Sequence, residues 1–167
     1  MDVVTVRPAI RADLPAVARL AALLVRLHHG FDPQRFLCME PLEPGYERFL
    51  AGELADDDAV ILVAVTRGER GEGERVVGYT YGRLEPRDWN ELLDACGKIH
   101  DVFVDEGARG HGAAAALVEA IVARLEGKGA PRVVLLSATP NLAAQRLFAK
   151  LGFRPTMVEM TRETKAE

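Results

Sequence analysis

The stretch that most restricts this chain runs from residue 98 to residue 126. Ile99, Val102, Phe103 and Val104 form a short β-branched and aromatic run, which reads as a strand. A turn-rich segment follows, with Gly110 and Gly112 just ahead of an alanine-rich helical run over 113–126. Strand, glycine turn and helix start together make an anion site, because the first amides of a helix have no internal partner and carry partial positive charge. Glycine there lets the backbone approach a phosphate with no Cβ in the way. The expected ligand is therefore phosphorylated.

Read literally, Gly110-His-Gly112-Ala-Ala-Ala115 satisfies the dinucleotide fingerprint G-x-G-x-x-A. That pattern requires a first βαβ unit and an acidic residue about 20 positions on. Here several strands precede the turn, and the next strand, over 132–136, runs into Ser137-Ala-Thr139 with no acid. The nicotinamide reading is set aside on that ground. The stretch also contains Arg109-x-x-Gly112-x-Ala114, whose assignment depends on the rest of the chain.

A length of 167 residues suits one domain over 1–167. The net charge of −4 argues against a general nucleic-acid binder. No apolar run approaches the ~18 residues of a membrane span, and Met1-Asp-Val-Val lacks a signal peptide's basic and apolar regions. Cys38 and Cys96 have no ligand-like spacing, so free thiols in a reducing cytoplasm, and no metal, are expected.

In chain order, residues 3–6 make a first strand. Asp13 then serves as N-cap of a helix with Pro15 in its first turn. Leu14, Val17, Leu20, Ala21, Leu24 and Leu27 give that helix one apolar face, and Gly30 is expected to stop it. Pro44 opens a second helix, and residues 59–65 form a continuous apolar run suited to a buried strand. A glycine-rich hairpin loop over 68–74 leads to a strand over 75–84, where Gly78 and Gly82 mark bulges or close approaches. A loop over 86–97 precedes the central strand. After the third helix come a strand over 132–136, a fourth helix from Pro140-Asn141 to Gly152, and a last extended piece through Thr161. The order is β-α-α-β-β-β-α-β-α-β.

That order and its motifs resemble the GNAT N-acetyltransferase superfamily over nearly the whole chain. Val6-Arg-Pro-Ala with Asp13-Leu-Pro15 is similar to its opening, and Val76-Val-Gly-Tyr-Thr80 to its third strand. Asp101-Val-Phe-Val104 with Arg109-Gly-x-Gly112 resembles its fourth strand and R/Q-x-x-G-x-G/A loop. Asn141-x-x-Ala144-x-x-Leu147-Phe148-x-Lys150-Leu-Gly-Phe153 resembles its N-x-x-A-x-x-L-Y-x-K-x-G-F helix. The last two motifs together are far more specific than either alone. The resemblance implies an α/β (α+β) fold, with a mixed central sheet of six to seven strands flanked by four helices and strands four and five splayed apart. It also implies acetyl-CoA as co-substrate. Its pantetheine arm would lie in the opening against Phe103 and the backbone of Val104, near Asn141 and Phe148. Its pyrophosphate would meet the backbone from Arg109 through Gly110, His111, Gly112 and Ala113 to Ala114.

The implied reaction is acetyl transfer to a primary amine of a small molecule or protein. An alkylammonium with a pKa near ~10 must lose a proton before it attacks, so a base is needed. Attack builds oxyanion charge, which a fixed N–H such as that of Val104 would stabilise. The thiolate then leaves, and in the family the tyrosine of L-Y-x-K-x-G-F commonly acts as acid. This chain has Phe148 there, which cannot donate a proton. Tyr79, Tyr81, Ser137 or a water are the substitutes, and a non-catalytic acyl-CoA-binding module is the alternative reading. For the base, the favoured pair is His100 and Asp101. They are expected to point to opposite faces of the strand, so that only one lines the groove. His28, Asp32, Trp89 and Asn90 lie in segments expected to border the acceptor. Only 14 residues follow Phe153, so residues 157–161 read as one strand whose free edge would pair in a homodimer.

Overall fold

The computed structural model describes residues 4–67 and 73–164; most of the hairpin loop expected at 68–74 lies outside the described residues. Strand β1 (Thr5–Pro8) leads through a 3-10 turn into helix α1 (Leu14–Phe31) and helix α2 (Glu43–Glu53). Strands β2 (Ala59–Arg67), β3 (Glu74–Glu85) and β4 (Cys96–Val104) follow. Helix α3 (Ala113–Gly127), strand β5 (Val133–Leu135) and helix α4 (Leu142–Lys150) complete the order. The strands form a single sheet in the order β1-β2-β3-β4-β5, antiparallel except for the parallel pair β4–β5.

The sheet is a middle layer. On one side α1 and α2 cover Val63, Val65, Tyr79, Tyr81 and Phe103; on the other α3 covers Leu62, Ala64, Val77, Ile99 and Val104. The repeat read along α1 is the face it buries, with Val17, Leu20 and Ala21 all fully enclosed. Leu27, at the end of that stripe, stays 38% exposed.

Three expectations need correction. First, the sheet has five strands, not six to seven, because the described residues after Gly152 form no strand. Pro155 has no N–H to give a ladder, and Met157, Val158 and Met160 are 77%, 79% and 87% exposed, with no layer to cover them. Second, Gly30 does not stop α1, which runs on to Phe31; Asp32 follows as the C-cap. Third, Asp13 sits at the N-cap of α1 but caps no amide of that helix. Its carboxylate instead accepts both Arg7 Nη1 at 2.7 Å and Nη2 at 3.1 Å, and the Ile10 N–H at 2.8 Å. It therefore joins β1 to the helix entry. Burial pushes this carboxyl up, but the Arg7 and Ile10 hydrogen bonds outweigh it and hold the group below the ordinary carboxylate value.

One irregularity shapes all that follows. Tyr81 pairs with Asp101 and Gly82 with Ile99, so His100 is an extra residue on β4, a β-bulge. The pleat changes parity there: Ile99 faces α3, whereas Phe103 faces α1. Gly82 sits opposite, as a close approach requires. A Cβ at this position would lie 2.7 Å from the Lys98 carbonyl oxygen and 3.0 Å from Ile121 Cδ1.

Gly82→Ala is accordingly expected to cost about 1–3 kcal/mol by chemical denaturation, the usual range for forcing a methyl into a filled core. Gly52→Ala is the control, since a Cβ there meets nothing within 4 Å inside α2. It should leave stability equal or raise it by about 0.5–1 kcal/mol, because glycine has more freedom to lose on folding. Equal losses in the two variants would remove the packing explanation.

Candidate functional site

Strands β4 and β5 share only three pairs, from Gly97↔Val133 to Ile99↔Leu135. Beyond Ile99, β4 continues to Val104 while β5 ends at Leu135, so the sheet opens as a wedge. Ile99, His100 and Val102 line one wall, and Leu135, Leu136 and Ser137 the other. Asn141, Ala144 and Phe148 of α4 close one side, with Leu24 and His28 of α1 opposite.

At the end of β4 the backbone passes a short turn at Glu106–Ala108 and reaches α3. Gly110 and Gly112 have φ of 80° and 81°, a region L side chains rarely adopt. A Cβ at either position would meet nothing within 4 Å, so backbone conformation, not crowding, demands glycine within the folded chain. Gly112 is the N-cap of α3, and no side chain caps that helix start. The first amides of Ala113 and Ala114 therefore keep their donor capacity. Arg109 turns inward: its Nε donates to the Val104 carbonyl at 3.0 Å, and its guanidinium lies 5.4 Å from the Phe103 ring centre. The arginine thus fastens the loop to the end of β4. His111 is exposed.

The bulge overturns the expectation that His100 and Asp101 face opposite ways. His100 stacks on Tyr81 at 5.2 Å between ring centres, and Asp101 Oδ2 accepts the Tyr79 hydroxyl at 2.9 Å. Tyr79 and Tyr81 both belong to the α1 side, so His100 and Asp101 are on that side together. His100 lines the wedge; its Nε2 lies 2.9 Å from Glu85 Oε1. When the imidazole is neutral the Glu85 carboxylate can only accept from it, which puts the proton on Nε2 and the lone pair on Nδ1. Burial pushes the Asp101 carboxyl up; the Tyr79 hydrogen bond and the nearby His100 and His28 pull the other way without cancelling it.

The tyrosine hydroxyls are both committed. Tyr79 donates to Asp101, and burial holds its phenol well above the ordinary value. Tyr81 donates to Glu53 at 2.5 Å, and burial likewise raises its phenol. Asn141 Oδ1 accepts the Ala144 amide at 3.2 Å and caps α4, while Phe148 meets Phe153 edge-on at 6.0 Å. Of the four residues expected at the acceptor, His28 lies in the wedge, its Nδ1 2.9 Å from the Leu24 carbonyl. Asp32 does not line it; its carboxylate accepts the Gln34 and Arg35 amides of the following turn. Trp89 and Asn90 border a second, shallower hollow of about 420 Å3, which Glu85 also lines. Glu85 was missed from sequence because a glutamate at the end of a strand reads as a solvated terminus, and only β3–β4 pairing brings it to His100.

Because the folded state favours a protonated Asp101 more than the unfolded chain does, its contribution is complete below the unfolded value near ~3.9. It is lost as pH rises through the higher folded value. Asp101→Asn keeps an acceptor for Tyr79 and removes that charge. Denaturant midpoints should therefore show the variant gaining on wild type between about pH 4 and pH 7. A difference that is flat or shrinks with pH would show that the buried charge costs nothing.

The profile of the Acetyltransferase (GNAT) family matches residues 24–153. Among solved structures, a tetramutant of the BH1408 protein from Bacillus halodurans is similar with a TM-score of 0.78 and 26% identity, covering 96% of this chain and 99% of that one. The aminoglycoside N-acetyltransferase AAC(6')-Iy, solved in complex with CoA, shares the fold at a TM-score of 0.74 and 15% identity, over 99% and 97% of the two chains. A mycothiol acetyltransferase from Nocardioides sp. (strain ATCC BAA-499 / JS614) is 30% identical over 101 residues, 59% of this chain. The chain spans about a third of that relative's length, 34%. A wedge beside an uncapped helix start, in a chain matched by that profile from α1 to the end of α4, leads to one conclusion: the chain belongs to the GNAT acetyltransferase family, whose acetyl donor is acetyl-CoA.

Proposed function

We propose that the chain, as one domain over 1–167 in the cytoplasm, carries an acetyl group from acetyl-CoA directly to a primary amine of a small molecule or protein. The observation that carries this reading is His100 on the wall of the wedge, its Nε2 2.9 Å from Glu85 Oε1. Glu85 fixes the imidazole tautomer and steadies the cation that forms when Nδ1 takes the amine's proton. Asp101, held by Tyr79, adds a second acidic group on the same side and favours a cationic acceptor. Acetyl-CoA supplies the activated acyl group as a thioester.

The same geometry supports the donor-binding residues. The amides from Arg109, Gly110, His111 and Gly112 to Ala113 and Ala114 take the pyrophosphate, supported by the glycine φ values and the uncapped start of α3. Phe103, Val104, Asn141 and Phe148 border the pantetheine path. His28 meets the acceptor inside the wedge, and Trp89 and Asn90 meet its outer part in the second hollow, while Asp32 holds the turn that follows α1. Unpaired Cys38 and Cys96 suit a reducing compartment. No described helix is long and apolar enough to cross a membrane.

An amine panel assayed by free-thiol release tests the reading. Turnover with at least one amine is expected, and His100→Ala should lower kcat about 100-fold. Coenzyme A binding without thiol release from any amine would favour the non-catalytic module instead.

We further propose a homodimer; residues 157–161 form no strand to carry it, so the edge we assign to it is that of β5, which among the described residues ends the sheet and pairs only with β4. The exposed Leu136, Met157, Val158 and Met160 lie in the segments that follow it. Sedimentation at micromolar concentration should show twice the monomer mass; monomer alone would refute it.

A further inference from the structure

We propose that the Ser137 hydroxyl donates a hydrogen bond to the coenzyme A sulfur as the acetyl group leaves it, a catalytic contact that rests on the acetyl-transfer reading above. Ser137 stands two residues beyond the end of β5 and lines the wedge on the wall facing His100 and Val102. Among the described residues its Oγ is the single buried side-chain oxygen or nitrogen without a hydrogen-bond partner. An enclosed hydroxyl left unpaired carries a desolvation penalty, so this one is placed for a group that enters the wedge. The neighbouring phenols do not compete for the role. Tyr79 is bound to Asp101 and Tyr81 to Glu53, and neither lines the wedge. Phe148, on the α4 side, offers only ring carbon. A base on the β4 wall and an O–H on the β5 wall bracket the space where a thioester would lie.

The step balances as follows. The neutral amine nitrogen bonds to the thioester carbonyl carbon, the C–S bond breaks, and its electron pair passes to sulfur. The proton from nitrogen goes to His100. Ser137 keeps its own proton and shares it with sulfur while charge collects there, and the thiolate is protonated by solvent.

The test is an ultraviolet titration of the thiol of coenzyme A bound to the full-length protein. Wild type should ionise that thiol at a pH about one unit lower than Ser137→Ala does, a tenfold shift in its acidity. The alanine variant should lose about 10- to 100-fold in kcat with little change in the acetyl-CoA KM, and Ser137→Thr should restore both. Calorimetry with desulfo-coenzyme A, which lacks the sulfur, should give equal affinity for wild type and Ser137→Ala. Identical thiol titrations in the two proteins would overturn the inference alone, as would an alanine variant that loses desulfo-coenzyme A affinity to the same extent as activity. Failure of coenzyme A to bind wild type would overturn the acetyl-transfer reading and this one with it.

Discussion

β4 holds one more residue than β3 can pair between Ile99 and Asp101, and the arrangement of the site depends on that mismatch. In a regular strand, neighbours point to opposite faces, so β4 would offer the α1 side either an imidazole or a carboxylate. The extra residue puts His100 against Tyr81 and Asp101 against Tyr79, both on the α1 side. The same point is where β4 and β5 stop pairing: the last pair is Ile99↔Leu135. A bulge adds local twist and bends its strand. One irregularity thus accompanies both the opening of the sheet and the placing of His100 on its wall.

The electrostatics of that side follow from a contest of magnitudes. A carboxylate taken out of water is penalised heavily unless partners replace its hydration. Asp101 has one phenol hydrogen bond and two imidazoles near it, yet burial wins and its carboxyl stays raised. Asp13 is the counterexample in the same chain. A bidentate guanidinium and a backbone amide more than offset its burial, and its carboxyl ends below the ordinary value. The difference is that Asp13 is held by a guanidinium and a backbone amide, whereas the Asp101 side chain accepts one phenol hydrogen bond. Perturbation of the second kind is what functional sites display. The exposed Arg35–Glu159 pair, 42% and 59% open, adds little to stability by comparison.

What could be read from the sequence divides along the same line. Local chemistry was legible: Gly110 and Gly112 do form the turn ahead of α3, Asn141 does stand at the start of α4, and the apolar run at β2 is buried. Each rests on a residue and its immediate neighbours. The bulge was not legible, because Ile99-His-Asp101 carries no turn residue and the parity change arises only when β4 meets β3. Glu85 was invisible for a related reason, since its partner lies 15 residues away across a strand pair. Asp13 looked like a helix cap and became an anchor for Arg7, a competition between two good partners that sequence cannot decide. The expected last strand failed because alternation predicts a strand only where a neighbour exists to pair with it.

The two walls of the wedge are not built alike. The β4 wall is part of the main sheet: Ile99, Phe103 and Val104 are 3%, 8% and 6% exposed, and Arg109 locks its end. The opposite wall is a strand of three residues, none fully buried, and a helix of nine residues with none buried. Leu142 there is 57% exposed and Leu136 77%. Segments with few buried apolar contacts open at lower free energy than the core does. The side that carries His100 and Glu85 is therefore the rigid reference, and the side that carries Ser137, Asn141 and Phe148 is the one able to adjust. A long flexible ligand entering such a wedge is placed by the firm wall, and the softer wall gains packing as it closes on it. This division keeps His100 on the fixed wall while the facing wall is free to adjust.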